Sequence, residues 1–268
     1  MSAICSSESI SARTPIVISL KNNATHRCCP EWNIYSQIMK LAALCSGGKD
    51  SIFSIYKAIQ YGHTVECLVT IHPSADDSML FHYPNSKITK SLADALEIPF
   101  IGVDSTVDST KYAEIEVLEQ AITQVVSAYD VEGIVHGTIS SIFQNEIFRK
   151  VCTRHGLTNI APIWNVQPYN YLQALIDNGF HVKIVSVSAM GLDSSWLGKD
   201  LDRDLIEKLR LLSNKYGINI SFEGGEAETL TVDCPIFKKR LLIKKSIVKW
   251  DGQRGIFEIL EHALIPKE

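Results

Sequence analysis

Apolar residues recur along this chain in two patterns that alternate from residue 39 onward. Short apolar runs predict buried strands, and apolar residues spaced by three or four positions predict helices. The predicted strands are 41–45, 65–71, 100–103 and 133–137, followed by an apolar run at 160–164. The predicted helices have their apolar faces within 52–59, 88–96, 111–129 and 143–155. This alternation predicts an α/β fold, with a parallel sheet covered by helices on both faces.

The pattern changes after Pro168. Helices are predicted at 171–178 and 203–216, and strand-like runs at 182–188, 229–232, 240–243, 246–250 and 256–260. We interpret 39–165 as the main domain and 166–268 as a smaller α+β lobe. Residues 1–38 are serine-rich near their start and show no sustained periodicity. For them we predict a disordered extension or a mis-set start, with Met39 as the natural first residue.

Composition narrows the class of protein. The 268 residues are 46% hydrophobic and 21% charged, with a net charge of −4, so no overall basic field favours nucleic acid. No apolar stretch reaches the roughly 20 residues that a membrane helix needs. The seven cysteines include no Cys-x-x-Cys pair, which argues against a zinc or iron–sulfur site and favours the reducing cytoplasm. Cys45 and Cys67 lie in apolar runs, and we expect both to be buried.

A glycine turn between the first predicted strand and the first helix carries the strongest chemical signal. It reads Ser46-Gly47-Gly48-Lys49-Asp50-Ser51. Glycines let the backbone approach a phosphate closely, and free N–H groups and the helix dipole favour an anion at a helix start. The turn is not a Walker loop, because no four-residue spacer precedes the Gly-Lys pair. The alternative is a serine-rich turn that only caps the helix.

Other polar residues are expected at the same edge of the sheet. Ser46, His72 and Gly137 each follow or end a predicted strand, and ligands of open parallel sheets bind beyond the carboxyl ends of the strands. His82 and Asn85 lie in a proline-containing loop and are weaker candidates. Trp196 could fill the core or form a wall of the substrate cleft.

An acidic turn forms the second constellation. Glu223-Gly224-Gly225-Glu226-Ala227-Glu228-Thr229 places three carboxylates around a Gly-Gly bend. If Glu226 and Glu228 are in extended chain, their side chains point to the same face. Carboxylates this close repel each other unless a cation, hydrogen-bond donors or a proton offsets the charge. Mg²⁺ beside a phosphate, a cationic substrate or ammonium could do so, and the alternative is a solvated acidic turn.

The two constellations together carry a family resemblance. The glycine turn resembles the pyrophosphate loop of the ATP pyrophosphatases, which split ATP between its α and β phosphates. From Met39 to about Phe237 the chain resembles the diphthamide synthase (diphthine–ammonia ligase) branch of that superfamily. The matching segments are SGGKDS at 46–51, FHYPN at 81–85, GTISSIFQ at 137–144, APIW at 161–164, GLDSSWLGKDLD at 191–202 and EGGEAETLTVDCPIF at 223–237.

The resemblance implies both a fold and a reaction. The fold is that of the adenine nucleotide alpha hydrolases, a Rossmann-like sheet. In the reaction, ATP with Mg²⁺ adenylylates the carboxylate of diphthine, a modified histidine of translation elongation factor two. Ammonium then attacks the acyl-adenylate, which gives diphthamide, AMP and pyrophosphate. An AMP leaving group makes a poor acyl donor reactive, so the chemistry is consistent with the phosphate loop.

The resemblance also assigns residues. Pyrophosphate contacts fall on Ser46, Gly47, Gly48, Lys49, Asp50, Ser51 and Gly137. Lys49 would neutralise the charge that develops between the α and β phosphates, and Asp50 would order the loop or the Mg²⁺ shell. Substrate contacts fall on His82, Asn85, Trp196, Glu223, Gly224, Gly225, Glu226, Glu228 and Thr229. Diphthine carries a trimethylammonium group, which an acidic site beside Trp196 would suit. For adenine, the backbone of 69–72 is a candidate.

The chain departs from the family pattern on the helix after the fourth strand. The family has an arginine and then a glutamate there, where this chain has Ile147 and Arg149. Another cation would have to replace that arginine, and Arg149 is a candidate. The alternatives to diphthine amidation are an adenylylating ligase that acts on tRNA and a non-catalytic ATP-binding protein. The acidic charge balance and the missing Cys-x-x-Cys pairs argue against the first, and the intact loop argues against the second.

Overall fold

The structure, a computed structural model, describes residues 37–72, 86–105 and 111–267. The predictions for residues 1–36, and those for His82 and Asn85, lie outside the described residues. The described residues belong to one compact unit, Gln37–Glu268. None of their helices is long and apolar enough to cross a membrane.

Five parallel strands form the first sheet. They are β1 Lys40–Leu44, β2 Thr64–His72, β3 Phe100–Asp104, β4 Gly133–Val135 and β5 Thr158–Ile160. Their order across the sheet is β3-β2-β1-β4-β5, and every neighbouring pair is parallel. The predicted parallel sheet is therefore confirmed. The apolar run predicted at 160–164 is strand only up to Ile160, because the chain turns immediately afterwards.

Four helices connect these strands. They are α1 Lys49–Gln60, α2 Thr89–Leu96, α3 Lys111–Ala128 and α4 Ile142–Arg154. Apolar residues of α3 and α4, among them Leu118, Ile122 and Val151, share one core cluster with strand residues such as Val69 and Ile134. The side chain of Ser141 caps α4 by accepting a hydrogen bond from the backbone N–H of Gln144. Helices thus cover the sheet where the spacing of apolar residues predicts them.

The C-terminal half adds two helices and a second sheet. The helices are α5 Pro168–Asp177 and α6 Arg203–Tyr216, and the strands are β6 His181–Val187, β7 Ala227–Asp233, β8 Lys239–Trp250 and β9 Gly255–Pro266. The strands pair antiparallel in the order β7-β6-β9-β8. The runs predicted at 240–243 and 246–250 are one strand, since register shifts around Lys245 carry the pairing past the charged interruption.

The two halves share an apolar cluster and several hydrogen bonds. The ring of Phe53 on α1 lies 5.5 Å from that of Tyr171 on α5 and 5.1 Å from that of Phe180, which precedes β6. Such ring pairs stabilise the contact beyond the area that they bury. The backbone N–H of Thr231 on β7 donates to the carbonyl of Gly47 at 2.9 Å. The glycine turn is therefore held by the C-terminal half as well as by its own strand.

Four described cysteines, Cys45, Cys67, Cys152 and Cys234, are free and buried. Burial raises the pKa of the Cys45 thiol to about 11 and that of Cys67 to about 12. A thiol with so high a pKa stays protonated and behaves as a small apolar side chain. The prediction of burial for Cys45 and Cys67 is confirmed.

Candidate functional site

The strand order reverses direction at β1, since β2 lies on one side of it and β4 on the other. Open parallel sheets bind ligands in the crevice beyond such a point. A cavity of about 910 Å³ lies here, and it is lined by the glycine turn, the chain after β4, the acidic turn and the loop between β8 and β9. This volume lies in the usual range for small-molecule sites. The cavity is therefore the candidate active site.

The glycine turn presents the start of a helix to the cavity. Ser46, Gly48 and Ser51 line it. Gly48 directly precedes α1 and has no side chain to cap the helix, and the backbone N–H of Lys49 donates to Oγ1 of Thr229 at 3.2 Å. The hydroxyls of Ser46 and Ser51 are 3.3 Å apart. Free backbone donors at a helix start, with two hydroxyls beside them, form a site for phosphate oxygens.

Gly47 has a different place from its neighbours. It does not line the cavity. Its φ of +81° lies in the left-handed region, and a Cβ added to it would lie 2.9 Å from Cδ1 of Leu92. Glycine is thus required here to let the turn close against α2, while the carbonyl of Gly47 binds Thr231.

Gly137 lines the cavity at the end of β4. A Cβ at this position would lie 2.6 Å from the backbone nitrogen of Ser51 and 2.6 Å from the carbonyl carbon of Asp50. Real Cβ atoms do not approach backbone this closely, so only glycine lets the chain after β4 pass the first turn of α1. Gly137 therefore shapes the anion site by its missing side chain.

Lys49 is the largest buried polar side chain of the site. Only 2% of the residue is exposed, and it lines the cavity. Its Nζ donates to the carbonyl of Ser221 at 2.6 Å and to Oδ2 of Asp50 at 3.0 Å. Nζ also lies 5.3 Å from the centroid of the Phe222 ring, which favours a cation. Groups from both halves of the chain therefore fix the position of the Lys49 ammonium beside the loop.

Asp50 has a second partner that sequence patterns did not predict. The hydroxyl of Tyr171 on α5 donates to its Oδ1 at 2.7 Å. Burial, and then the negative charge of Asp50, raise the pKa of Tyr171 well above its usual value. The phenol therefore stays protonated and remains a donor at neutral pH. Lys49 and Tyr171 together fix both oxygens of the Asp50 carboxylate.

The three carboxylates of the acidic turn have three different environments. Glu223 Oε1 accepts hydrogen bonds from the backbone N–H groups of Ile139 and Ser140 at 2.8 and 2.7 Å, and Oε2 accepts from the Ser140 hydroxyl. Glu223 and Glu228 line the cavity, as do Gly224, Gly225 and Thr229. Hydrogen-bond donors thus offset the charge of Glu223, which was one of the alternatives that the sequence left open.

Glu226 and Trp196 do not line the cavity. The Glu226 carboxylate accepts from the backbone N–H groups of Asn219 and Gly224, both at 2.9 Å, so it closes its own turn. Trp196 is 8% exposed and belongs to the core. The aromatic residues that line the cavity are Phe148, Phe222 and Trp250. We therefore leave Glu226 and Trp196 out of the candidate site.

Two further sequence candidates also lie elsewhere. Arg149 pairs with Glu146 at 2.7 Å on the exposed side of α4 and does not line the cavity, so it does not replace the family arginine there. His72 ends β2 and is not a lining residue, although Val69, Thr70 and Ile71 of the same strand are.

His136 is a cavity residue that the apolar pattern concealed. It follows β4, is 2% exposed, and its Nε2 and Nδ1 lie 3.0 Å from Asn159 Oδ1 and Thr138 Oγ1. The Asn159 amide nitrogen donates to Asn145, so its oxygen faces Nε2, which must carry the proton. Burial lowers the pKa of His136 to about 4. His136 is therefore a neutral, fixed wall of the cavity.

Comparisons with known proteins place the chain in a family. The descriptions "Diphthamide synthase N-terminal domain" and "Diphthamide synthase C-terminal domain" match residues 39–159 and 167–265. The chain belongs to the diphthamide synthase family. Proteins named diphthine–ammonia ligase from Bos taurus and Homo sapiens are 34% and 33% identical to it over 227 residues, which cover 78% of this chain and 85% of each relative.

Two other similarities complete the comparison. The diphthine–ammonia ligase of Schizosaccharomyces pombe is 32% identical over 219 residues, which cover 76% of this chain and 36% of that longer protein. A solved structure described as a predicted subunit of tRNA methyltransferase from Methanocaldococcus jannaschii has a TM-score of 0.39 and 16% identity, and covers 71% of this chain and 96% of that one. That structural likeness is too low to support an argument. Membership of the family identifies the chain as an enzyme of the ligase class.

Proposed function

We propose that this protein amidates diphthine on translation elongation factor two, with ammonium as the nitrogen donor and ATP as the activating substrate. The observation that carries the proposal is the joint lining of one cavity by the glycine turn and the acidic turn. The first binds anions and the second supplies carboxylates to a cation. A ligase that joins a carboxylate to ammonia needs both kinds of contact within one space.

The residues at the loop end fit the triphosphate of ATP. The first turn of α1, the hydroxyls of Ser46 and Ser51, and the close passage of Gly137 form a donor-lined cradle. Val69, Thr70 and Ile71 line the neighbouring wall, where they would contact adenine. Lys49 would stabilise charge on the phosphates as the α–β bond breaks.

Mg²⁺ would accompany ATP. Among the described residues, no group of three or more His, Cys, Asp and Glu side chains is arranged to hold a metal ion. Mg²⁺ commonly binds through substrate phosphates and one or two carboxylates, and Asp50 is the candidate carboxylate at the loop. When bound, the ion would neutralise charge on the phosphates.

The proposed reaction has two steps. A carboxylate oxygen of diphthine attacks the α phosphorus, pyrophosphate leaves, and an acyl-adenylate forms. Ammonium gives up a proton, and the ammonia that results attacks the acyl carbon. AMP then leaves with the bonding electrons, and the amide nitrogen releases a second proton. Glu228 and Glu223 lie where the trimethylammonium group of diphthine and the incoming ammonium would gain from negative charge.

The decisive experiment incubates the purified protein with ATP, Mg²⁺, ammonium and elongation factor two that carries diphthine. We expect AMP formation that depends on the factor, with a small decrease in the mass of the factor that matches replacement of a hydroxyl by an amino group. Formation of AMP with tRNA instead would contradict the proposal and indicate a tRNA-modifying ligase. Absence of AMP with either substrate would indicate a protein that only binds the nucleotide.

The variant Lys49→Ala tests the role of the loop in the same assay. We expect turnover to fall well over tenfold, as it does when a single electrostatic donor is removed from a developing charge. Lys57→Ala is the matched control, because Lys57 lies on the same helix, its ammonium contacts Gln60 and the Tyr61 ring, and it does not line the cavity. Circular dichroism would check that both variants are folded. A near-normal rate in Lys49→Ala would contradict the assigned role.

A further inference from the structure

The cavity continues from the glycine turn to the loop that joins β8 and β9. Trp250, Asp251, Arg254 and Gly255 line this end. Oδ1 of Asp251 accepts from the backbone N–H groups of Gln253 and Arg254 at 2.8 and 2.7 Å, which makes the loop a closed, ordered turn. The mouth of the cavity thus has a rigid rim at this end.

The rim also holds an aromatic side chain in place. A Cβ added to Gly255 would lie 2.6 Å from Cε3 of Trp250 and 2.7 Å from Cδ1 of Leu197. The indole therefore packs directly on the glycine backbone. Trp250 is nevertheless 37% exposed, so part of the fixed ring faces solvent at the mouth. A large, ordered and partly exposed aromatic residue is typical of a protein–protein contact.

The hairpin that carries this rim, residues 238–266, has a charge opposite to that of the whole chain. It contains seven Lys and Arg residues against three Asp and Glu residues, whereas the chain has a net charge of −4. Two of the three acidic residues are paired within the hairpin, as Lys249–Glu258 at 2.6 Å and Lys244–Glu261 at 3.4 Å. The other basic residues are exposed: Lys238, Lys239 and Arg240 lie around the start of β8, Lys245 in its middle and Arg254 in the turn. The net positive charge of the hairpin favours an acidic partner.

Exposed aliphatic residues lie among these charges. Leu242, Ile247, Val248 and Leu260 are 40% to 49% exposed, and β8 is the outermost strand of its sheet. A single-stranded nucleic acid would use aromatic platforms for its bases, whereas aliphatic side chains between lysines fit a protein surface. The composition of the hairpin therefore favours an acidic protein over RNA.

We propose that this hairpin docks an acidic surface of the protein that carries the acceptor carboxylate, with Trp250 and Arg254 at the contact nearest the cavity. The inference rests on the proposed function. An acceptor side chain attached to a folded protein can enter the cavity only if the surface around it rests on the rim. The hairpin turn supplies that rim, and β8 extends the contact away from it.

The test compares Arg254→Glu and Trp250→Ala with wild type, using elongation factor two that carries diphthine. We expect each variant to raise the KM for the factor at least tenfold, to change kcat less than threefold, and to leave the KM for ATP unchanged. Lys208→Glu is the matched control, because it makes the same charge change on α6, which does not line the cavity. Added salt should weaken binding of the factor to wild type more than binding to Arg254→Glu.

Direct binding of the factor, measured by interferometry, separates this inference from the proposed function. If wild type is active and both hairpin variants keep the wild-type KM for the factor, the docking surface is wrong and the proposed reaction stands. Wild type that binds the factor without making AMP would overturn the reaction, and the variants would still decide the docking. Wild type that neither binds nor reacts would overturn both. Loss of RNA binding in the variants, with factor binding intact, would reassign the hairpin to RNA.

Discussion

Tyr171 and Tyr56 form a matched pair at the scale of single residues. Both rings pack against Phe53, and both hydroxyls donate a hydrogen bond, but Tyr171 binds Asp50 at 2.7 Å while Tyr56 binds Asn178 at 2.8 Å. Tyr171→Phe removes the hydrogen bond to Asp50, and Tyr56→Phe removes the bond to Asn178 and the one that the hydroxyl accepts from Gln60. Only Tyr171→Phe frees a carboxylate of the candidate site.

We expect both variants to lower the free energy of unfolding by about 1 to 2 kcal/mol. Turnover should fall about tenfold or more in Tyr171→Phe, because Asp50 is then held by Lys49 alone and small misplacements at a reacting centre are costly. In Tyr56→Phe it should stay within about twofold of wild type, since its partner is remote from the cavity. Urea unfolding and the AMP assay measure the two effects. Equal losses of turnover would show that Tyr171 acts only through stability.

His136 gives a prediction for pH. Its pKa is about 4 in the folded protein, against 6.5 for the unperturbed side chain. Above pH 6.5 the imidazole is neutral in both states. As the pH falls from 6.5 toward 4, the unfolded chain takes up a proton that the folded protein refuses, so folding loses about 3 kcal/mol. Below the folded pKa the loss is complete.

The variant His136→Gln isolates this contribution, since its amide still offers a donor to Asn159. We expect wild type to be more stable than the variant at pH 7.5, and the difference to shrink as the pH falls to about 4.5. Urea unfolding at a series of pH values measures the difference, in which titration of the other groups cancels. A difference that is independent of pH would contradict a buried, neutral His136.

The position of a site residue could be predicted from the sequence where local chain geometry sets it. It could not be predicted where the residue reaches the site from a distant part of the chain. The loop of Ser46, Gly48 and Lys49 lies between a strand and a helix, and the spacing alone places it at the sheet edge. Tyr171 reaches Asp50 across 121 positions of sequence, and nothing in its own helix indicates that contact. His136 had a weaker signal, as a polar residue at the carboxyl end of an otherwise apolar strand.

The meeting of β4 with α1 makes a prediction at the scale of elements. Gly137→Ala places a Cβ 2.6 Å from the backbone at Asp50 and Ser51, and backbone cannot move aside as a side chain can. We expect the start of α1 to be displaced, ATP affinity to fall at least tenfold, and stability to fall by about 1 to 3 kcal/mol. Isothermal titration calorimetry with ATP and Mg²⁺ measures the binding.

Gly102→Ala is its control. The Cβ there would lie 2.9 Å from Cε1 of Phe100, which is a half-buried side chain and not backbone, and Gly102 itself is exposed. ATP affinity should stay within about twofold of wild type. If Gly137→Ala also binds ATP normally, the close approach of β4 to α1 does not shape the nucleotide site.

The elements themselves differ in how far sequence patterns could define them. The inner strands β1 and β4 and the second half of β2 are buried at nearly every position and stand out as apolar runs, whereas the edge strand β3 is largely half-buried or exposed. β8 is an edge strand, in which lysines are expected, so Lys244 and Lys245 suggest a break that the structure does not have. Asp251–Gly252 lies in the turn that joins β8 to β9, and an Asp-Gly pair is typical of such turns, but the approach of this turn to the cavity depends on pairing between β6 and β9.

At the scale of the whole molecule, hydrogen bonds connect the chain after β4, in the N-terminal half, to the acidic turn in the C-terminal half. Glu223 accepts from the backbone of Ile139 and Ser140 in the N-terminal half, whereas Glu226 accepts from Asn219 and Gly224 in its own half. Each carboxylate therefore receives two backbone hydrogen bonds, but only those of Glu223 connect the halves. Comparing a variant that lacks the Glu223 carboxylate with one that lacks the Glu226 carboxylate separates two effects: loss of the connection between the halves and loss of a hydrogen-bond acceptor.

We expect Glu223→Ala and Glu226→Ala to lower the free energy of unfolding by similar amounts, about 1 to 3 kcal/mol, since each leaves two backbone donors without their acceptor. Hydrogen exchange should differ between them. The amides of Ile139 and Ser140 should lose protection only in Glu223→Ala, and those of Asn219 and Gly224 only in Glu226→Ala. Because Glu223 holds the loop beside Gly137, Glu223→Ala should also weaken ATP binding. If exchange at Ile139 and Ser140 is unchanged in that variant, the acidic turn does not fix the nucleotide side of the cavity, and Glu223 is left free to contact substrate alone.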